Sequence, residues 1–440
     1  MNPISNMRFA LWRDRLALLI LALLPWQARY IRQTAALYGA PWEQGTASVF
    51  ALEVLLLLAL GCHFLAAVSR REPKKAGAPL WLQVSALLPI YAFVSVAWAY
   101  DTIGALYGAI HLFEGYALAY LLWVSGVSLA SALAALIAGA AASCALGLWQ
   151  FFTQSSFAST LLGIASHPAA EAGTSVVETG AGRFLRAYGS LPHPNILGGY
   201  VAAGLLAALA LASEARRFRK ALLAAAVVLG AGLAASFSRS AWLAFATAIA
   251  AAAAFPRVTS NRSAWFRLLP VLAAVASGIL LVAFSATPIF ATRLSAHGRL
   301  ETKSIDERST SVRQGFGMLE RHFEIGTGIG NYLPTFFLTA DRSLDPFRVQ
   351  PPHFVPFLVG AELGFFGLAV LLGFVASWWV GTLWIMRRTS SPMSAWTAVL
   401  PVVVIVASCF DHYPFDLFAG TMLTGALFGL SLKAGERSEA

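Results

Sequence analysis

Residues 363–388 read LGFFGLAVLLGFVASWWVGTLWIMRR. The run from Leu363 to Met386 carries no charge, and Arg387 and Arg388 follow it at once. As a helix rising about 1.5 Å per residue it is about 36 Å long, enough to cross a hydrocarbon core of about 30 Å. Arginines packed against one end of such a run mark the side on which positive charge is retained. The stretch therefore predicts a membrane-spanning helix whose C-terminal end faces the cytoplasm.

Similar runs recur along the whole chain. It is 58% hydrophobic and only 12% charged, with a mean hydropathy of +0.68, whereas a soluble protein carries about 25% charged residues. Spans are expected near residues 16–27, 47–68, 80–100, 103–123, 124–150, 196–212, 221–235, 241–255, 268–285, 363–386, 396–410 and 417–432. The expectation is an all-α integral membrane protein of about twelve transmembrane helices, with residues 1–440 forming one polytopic domain. The first run follows Arg13 and Arg15 but lacks a small-x-small cleavage site, so a retained helix is expected rather than a signal peptide.

The formal charge of +10 could suggest nucleic acid, but its placement argues for membrane orientation and against that partner. With the loops numbered alternately and the N-terminus inside, 18 of the 31 Lys and Arg residues fall in inside segments. These include Arg70, Arg71, Lys74 and Lys75, then Arg216, Arg217, Arg219 and Lys220, and Arg257, Arg387, Arg388 and Arg437. Eight of the 13 outside ones lie in one long stretch, where charge reports topology weakly. Both termini are thus expected in the cytoplasm, with any site on the opposite, outer side. Cys62, Cys144 and Cys409 lie in separate apolar runs without metal-type spacing and read as packing residues.

Two outside loops are long enough to build a site: residues 152–194, rich in Gly, Ala, Ser and Thr, and residues 287–352. Within the second, residues 311–322 have helical character, with Val312, Phe316 and Leu319 on one face and Arg308, Arg313 and Glu320 on others.

The residues able to carry chemistry gather on this outside face. Ser238-Arg239-Ser240 puts an arginine in a short outside turn; it either snorkels to lipid headgroups or binds an anionic ligand. Glu307-Arg308, Arg313 and Arg321-His322 supply further cations, which are either solvated or aimed at diphosphate, whose oxygens match the two-pronged guanidinium donor. Gly326-Thr327-Gly328-Ile329-Gly330-Asn331 has neither a preceding strand nor a following P-loop lysine, so it reads as a tight turn rather than a nucleotide loop. Pro351-Pro352-His353 returns the long loop to the membrane ahead of Glu362, and a neutral imidazole among arginines would serve as a base. His193-Pro194-Asn195 and Asp411-His412 are further candidates for substrate contact, or helix caps. Glu53, His63, His111 and Glu114 fall inside expected spans, as either helix-to-helix hydrogen-bonding groups or functional polar residues. No carboxylate cluster suited to a metal is visible, so neither metal nor other cofactor is expected.

These pieces, in this order over roughly residues 189–430, resemble the bacterial O-antigen ligases and the related O-antigen polymerases and O-oligosaccharyltransferases. The matching positions are Pro192 to Asn195, Arg239 in Ser-Arg-Ser, Glu-Arg followed by Arg313, the Gly326–Asn331 turn, and His353 ahead of Glu362 to Gly367. The resemblance implies a glycosyltransferase-C-like architecture and Arg239, Arg313 and His353 as essential residues. Arg308, Arg321, His193, Asn195, Asp411, His412 and Glu362 are the expected substrate contacts. It implies a metal-independent, inverting transfer of a glycan from undecaprenyl diphosphate to a hydroxyl acceptor, which is lipid A-core if the chain is a ligase. The arginines would hold the diphosphate and His353 would take the acceptor proton. Phe354 stands where the family often has asparagine.

Three other readings differ in what they would transfer. An O-antigen or exopolysaccharide polymerase would use the same donor. A transporter of anionic lipids would use the polar residues inside the spans, although the chain shows no repeated halves. A scaffolding protein would leave the arginine-rich loop without a purpose.

Overall fold

The computed structural model describes the chain except residues 1–2, 38, 69–76, 215–217, 256–261, 296–298, 340–349 and 437–440. The basic clusters at 70–75, 216–217, 257 and 437 and part of the long loop therefore lie outside the described residues.

The fold is mostly helical. In chain order the helices used below are α1 (Pro3–Leu23), α2 (Ala51–Val68), α3 (Leu80–Ser95), α4 (Thr102–Val124), α5 (Leu129–Thr153), α6 (Pro194–Ala212), α7 (Arg219–Ala235), α8 (Arg239–Ala253) and α9 (Arg262–Ser285). They continue with α10 (Thr287–Ser295), α11 (Arg299–Arg321), α12 (Tyr332–Thr339), α13 (Val355–Arg388), α14 (Pro392–Ala398), α15 (Val402–Ser408), α16 (Tyr413–Asp416) and α17 (Phe418–Glu436). Among the described residues, seven are long and apolar enough to cross a membrane: α2, α3 with its 3₁₀ extension to Trp98, α4, α5, α6, α9 and α13. The other expected spans also fall largely on helices, namely α1, α7, α8, the pair α14 and α15, and α17. Bulky apolar side chains point outward, among them Leu57, Phe64, Phe284 and Val380, each more than 60% exposed. Water would not tolerate so large an apolar surface, whereas lipid does.

Helix α6 is the axis of the bundle, since every residue from Pro194 to Ala212 is buried. Its small residues allow that. A Cβ at Gly198 would meet Ala241 and Ser238 of the next helix pair at 2.8 and 2.9 Å, and one at Gly199 would strike the Tyr413 hydroxyl. Close approach through small side chains is the usual basis of helix packing in membranes. The same device joins α17 to α4, where a Cβ on Gly115 would lie 2.7 Å from the Thr421 carbonyl.

Among the described residues, three short antiparallel strand pairs accompany the helices: β1 (Arg29–Gln33) with β4 (Ala47–Phe50), β2 (Ala36–Leu37) with β3 (Ala40–Pro41), and β5 (Val176–Thr179) with β6 (Gly182–Leu185). Two expectations are corrected. The helical part of the long loop is α11, twelve residues longer at its start than the expected 311–322. Its buried side holds Ser311, Gly315, Met318 and Leu319, not Val312 and Phe316, because at Gly315 it presses against Pro352, where a Cβ would come within 2.6 Å. Finally, the helix at the opening stretch begins at Val355 and is broken at Gly364, with φ 63° and ψ −163°.

That break explains two motifs together. A helix interrupted at Gly364 leaves carbonyls of the preceding turn without their usual donors. The Gly326–Asn331 turn supplies them: the Thr327 amide donates to Ala361 O at 2.9 Å and the Gly328 amide to Glu362 O at 2.8 Å. The Phe365 amide donates to Phe323 O. Gly326 and Gly328 take φ of 77° and 91°, and a Cβ on Gly326 would collide with the Glu362 carbonyl. The Glu362 carboxylate accepts the Gly330 and Tyr332 amides at 2.9 and 3.2 Å. The Asn331 side chain clasps the Asp101 backbone on the α3–α4 junction. This tight turn locks the long loop onto the broken helix and fixes where His353 can sit.

Candidate active site

A cavity of about 590 Å³ opens where α6, α11, the start of α13 and the α15–α16 turn converge. Its polar walls come from Arg186, His193, Asn195, Arg293, Arg308, His353, Asp411 and His412. Seven of the polar residues singled out in the sequence therefore meet: His193, Asn195, Glu307, Arg308, His353, Asp411 and His412. Arg239, Arg313, Arg321 and Glu362 do not line it. Glu362 is buried in the turn described above. Arg321 is exposed at the end of α11. Arg313 is exposed as well, because it lies two residues, about 200°, round the helix from Ser311, whose side faces the cavity. Arg239 is half-buried at the start of α8, behind the Ser238 cap.

The turn ahead of Arg239 contributes in another way. It bends through Phe237, whose φ is +47°, and presents its carbonyls to two arginines missed in the sequence. Arg186 Nε donates to Ser236 O at 2.8 Å, and Arg293 Nε to Phe237 O at 2.9 Å. Both arginines are buried, at 5% exposure. Their only sequence signal was position: each lies in one of the two long loops, ten and eight residues from an expected span.

From Arg186 a chain of hydrogen bonds crosses the cavity wall. Arg186 Nη2 donates to Asn195 Oδ1, and Asn195 Nδ2 donates to Asp411 Oδ2, both at 2.8 Å. Asp411 Oδ1 accepts the His412 amide at 2.9 Å, and His412 Nδ1 pairs with Asp416 Oδ1 at 2.8 Å. Gln44 of the β3–β4 turn closes the line on Asp416. Burial pushes the His412 imidazole down, but Asp416 and Asp411 overcome it and hold His412 up at about 9. Burial likewise pushes the Asp411 carboxyl up, and the neighbouring histidines with the Asn195 amide hold it below the ordinary range.

His353 has the opposite character. Burial pushes it down to about 4, and the His412 and Arg308 charges act in the same direction against Asp411 and Asp416. It is neutral at pH 7, as the sequence required, although burial rather than like charge is the larger cause. Its tautomer follows from Ser311. With that hydroxyl's proton directed to Arg308 O at 3.0 Å, the ring is the donor in the 3.2 Å contact between Ser311 Oγ and His353 Nδ1. Nε2 is left with its lone pair. His193 is the complement: burial and Arg186 keep it neutral, and its Nδ1 accepts the Asn195 amide as the cap of α6, which puts its proton on Nε2.

His353, Asp411 and His412 also present ligand-type atoms within 4.8 Å of one another, and so do Glu53, His111 and Glu114. Neither group was visible in the sequence, because each is assembled from separate segments. In the first group Asp411 and His412 Nδ1 already have hydrogen-bonding partners.

Residues 224–372 match the family model described as O-antigen ligase. The chain carries an O-antigen ligase domain. The match takes in Arg239, α11, the Gly326–Asn331 turn, His353 and the Gly364 break, roughly a third of the 440 residues. It bears out the resemblance drawn from the motifs and, with the long apolar helices, supports a multi-pass membrane protein of the ligase and polymerase type. Arg186, His193, Asn195, Asp411 and His412 lie outside the matched segment of the O-antigen ligase domain and complete its cavity. No curated protein matches the chain significantly.

Proposed function

We propose that the protein transfers a glycan from undecaprenyl diphosphate to a hydroxyl acceptor, at the periplasmic face of the inner membrane, with inversion at the anomeric carbon. The observation that carries the reading is a buried His353, held through Nδ1 by Ser311, in a cavity also lined by Arg186, Arg293 and Arg308. In this reading the arginines bind the diphosphate and stabilise the charge that grows on it as the glycosidic bond breaks. His353 Nε2 accepts the acceptor's hydroxyl proton as its oxygen attacks, and Asp411 stabilises the imidazolium that results. Guanidinium groups serve in place of a metal ion.

The resemblance assigns the diphosphate to Arg239 and Arg313; the geometry favours Arg308 over Arg313 for contact, and gives the Arg239 turn the task of seating Arg186 and Arg293. Twelve membrane crossings with both termini in the cytoplasm belong to the same proposal. They are supported by the short-loop charges and by a polar seam at the end of the bundle away from the cavity, where Lys433 Nζ donates to Ser125 O and Asp14 accepts the Gly126 amide.

The test is transfer in detergent from a defined undecaprenyl-diphosphate glycan to a panel of lipid A-core, lipid-linked glycan and protein acceptors, with and without EDTA. Covalent product unaffected by EDTA is expected. A strict metal requirement, or exchange of intact lipid without transfer, contradicts the reading. The accepted partner separates ligase from polymerase. So does a deletion strain, because polymer left on the carrier lipid indicates a missing ligase and single repeat units indicate a missing polymerase.

A further inference from the structure

Glu53, His111 and Glu114 meet inside the bundle, outside the walls of the His353 cavity. Glu53 lies in the first turn of α2, and His111 and Glu114 share a face of α4 three residues apart. One ligand-type atom from each comes within 4.8 Å of the other two. His111 Nε2 stands 3.3 Å from Glu53 Oε1, at ion-pair distance but without hydrogen-bond alignment. Glu53 is 7% and Glu114 6% exposed. Among the described residues, Glu53 Oε1, His111 Nε2 and Glu114 Oε2 are all buried and have no hydrogen-bond partner.

Orphaned buried polar atoms are uncommon and costly. Three neighbouring side chains that each hold such an atom call for something that satisfies them. Two carboxyl groups and an imidazole share this low-dielectric interior. A divalent cation neutralises carboxylates there and takes one atom from each of the three residues as a ligand.

The donor set also selects the ion. One imidazole and two carboxylates suit zinc and its transition-metal neighbours rather than magnesium or calcium, which prefer all-oxygen shells. Bonds of about 2.1 Å in a tetrahedron set ligand atoms about 3.4 Å apart, and the 3.3 Å between His111 and Glu53 already matches. The Phe50 and Phe418 rings stand edge-on to the His111 ring at 6.0 and 5.3 Å and fix its plane. A small cavity of about 40 Å³, lined by His111, Ser48 and Asp416 among others, adjoins the imidazole. It has room for the water that would complete a four-coordinate shell.

We propose that Glu53, His111 and Glu114 form a zinc-type divalent metal site that fastens α2 to α4. It is separate from the transfer chemistry and stands whether or not the proposed function does.

The experiment measures zinc by mass spectrometry in full-length protein, purified in detergent without a metal-affinity step, incubated with zinc chloride and desalted. About one zinc per chain is expected in the wild type and in His353→Ala, with Glu114→Gln and Glu53→Gln each retaining less than about a tenth. Should those variants fail to fold, cobalt titration of the wild type decides, with the visible absorption of a tetrahedral complex expected and its absence contradicting the site. Absence of stoichiometric zinc in the wild type overturns the proposal. Loss of zinc in His353→Ala with retention in Glu114→Gln overturns it too, since that places the ion at His353, Asp411 and His412.

Discussion

The Ser311 hydroxyl lies 3.2 Å from His353 Nδ1 and donates its hydrogen bond to the Arg308 carbonyl. One serine therefore sets the tautomer of the proposed base from a helix that also carries a cavity arginine. The arrangement makes α11 more than a covering loop, because moving it would displace the base's partner and Arg308 together.

Ser311→Ala should lower transfer about tenfold, the loss of roughly one orienting hydrogen bond, while Ser311→Thr should retain most activity. A positioning role requires that the fall be in kcat rather than KM, and steady-state kinetics on both variants checks it.

The pH dependence follows from two histidines of opposite character. His353 must be neutral, and its pKa near 4 means the base is lost only as the pH falls through about 4. His412 is held as a cation up to about 9, so its support for Asp411 and Asp416 is lost as the pH rises through that value. A transfer rate plotted against pH should show limbs near 4 and 9. In Ser311→Ala the acid limb should move, whereas a purely structural serine would leave it in place.

Arg308 and Arg313 are five residues apart on one helix and separate the geometric reading from the motif reading. Arg308→Ala should reduce transfer by about 10² or more, as expected for losing a guanidinium that meets developing charge. Arg313→Ala should stay within about threefold. Rates of the two purified variants at saturating donor decide between them.

Gly364→Ala tests the break in α13. Its backbone lies at φ 63°, ψ −163°, and an added Cβ would come 2.6 Å from the Glu324 carbonyl. The conformation alone costs a non-glycine residue roughly 1–3 kcal/mol. A clear fall in the thermal unfolding temperature in detergent is expected, with Gly61→Ala, where a Cβ meets nothing within 4 Å, as the unaffected control.

The sequence made the spans legible because lipid imposes a length and an absence of charge that few soluble folds share. It made His353 legible through the rigid prolines before it, and Arg308 through its place in an arginine-rich loop. Arg186 and Arg293 stayed hidden because what distinguishes them is burial against the Ser236 and Phe237 carbonyls, which depends on a left-handed turn at a phenylalanine. The break at Gly364 hid inside an uninterrupted apolar run, since a glycine in a membrane helix is ordinary until a neighbouring loop needs its carbonyls. Glu53, His111 and Glu114 could be seen one by one, but their meeting depends on how α2 packs on α4, which periodicity does not encode.

The central claim is that His353 is the base for glycan transfer in an arginine-lined cavity. It is tested most directly by single-turnover transfer from an undecaprenyl-diphosphate glycan, comparing wild type with His353→Ala and measuring donor binding in parallel. The account predicts donor binding within about threefold of wild type and a transfer rate lower by about 10² to 10⁴. Transfer by His353→Ala within threefold of wild type, with donor binding intact, would contradict it.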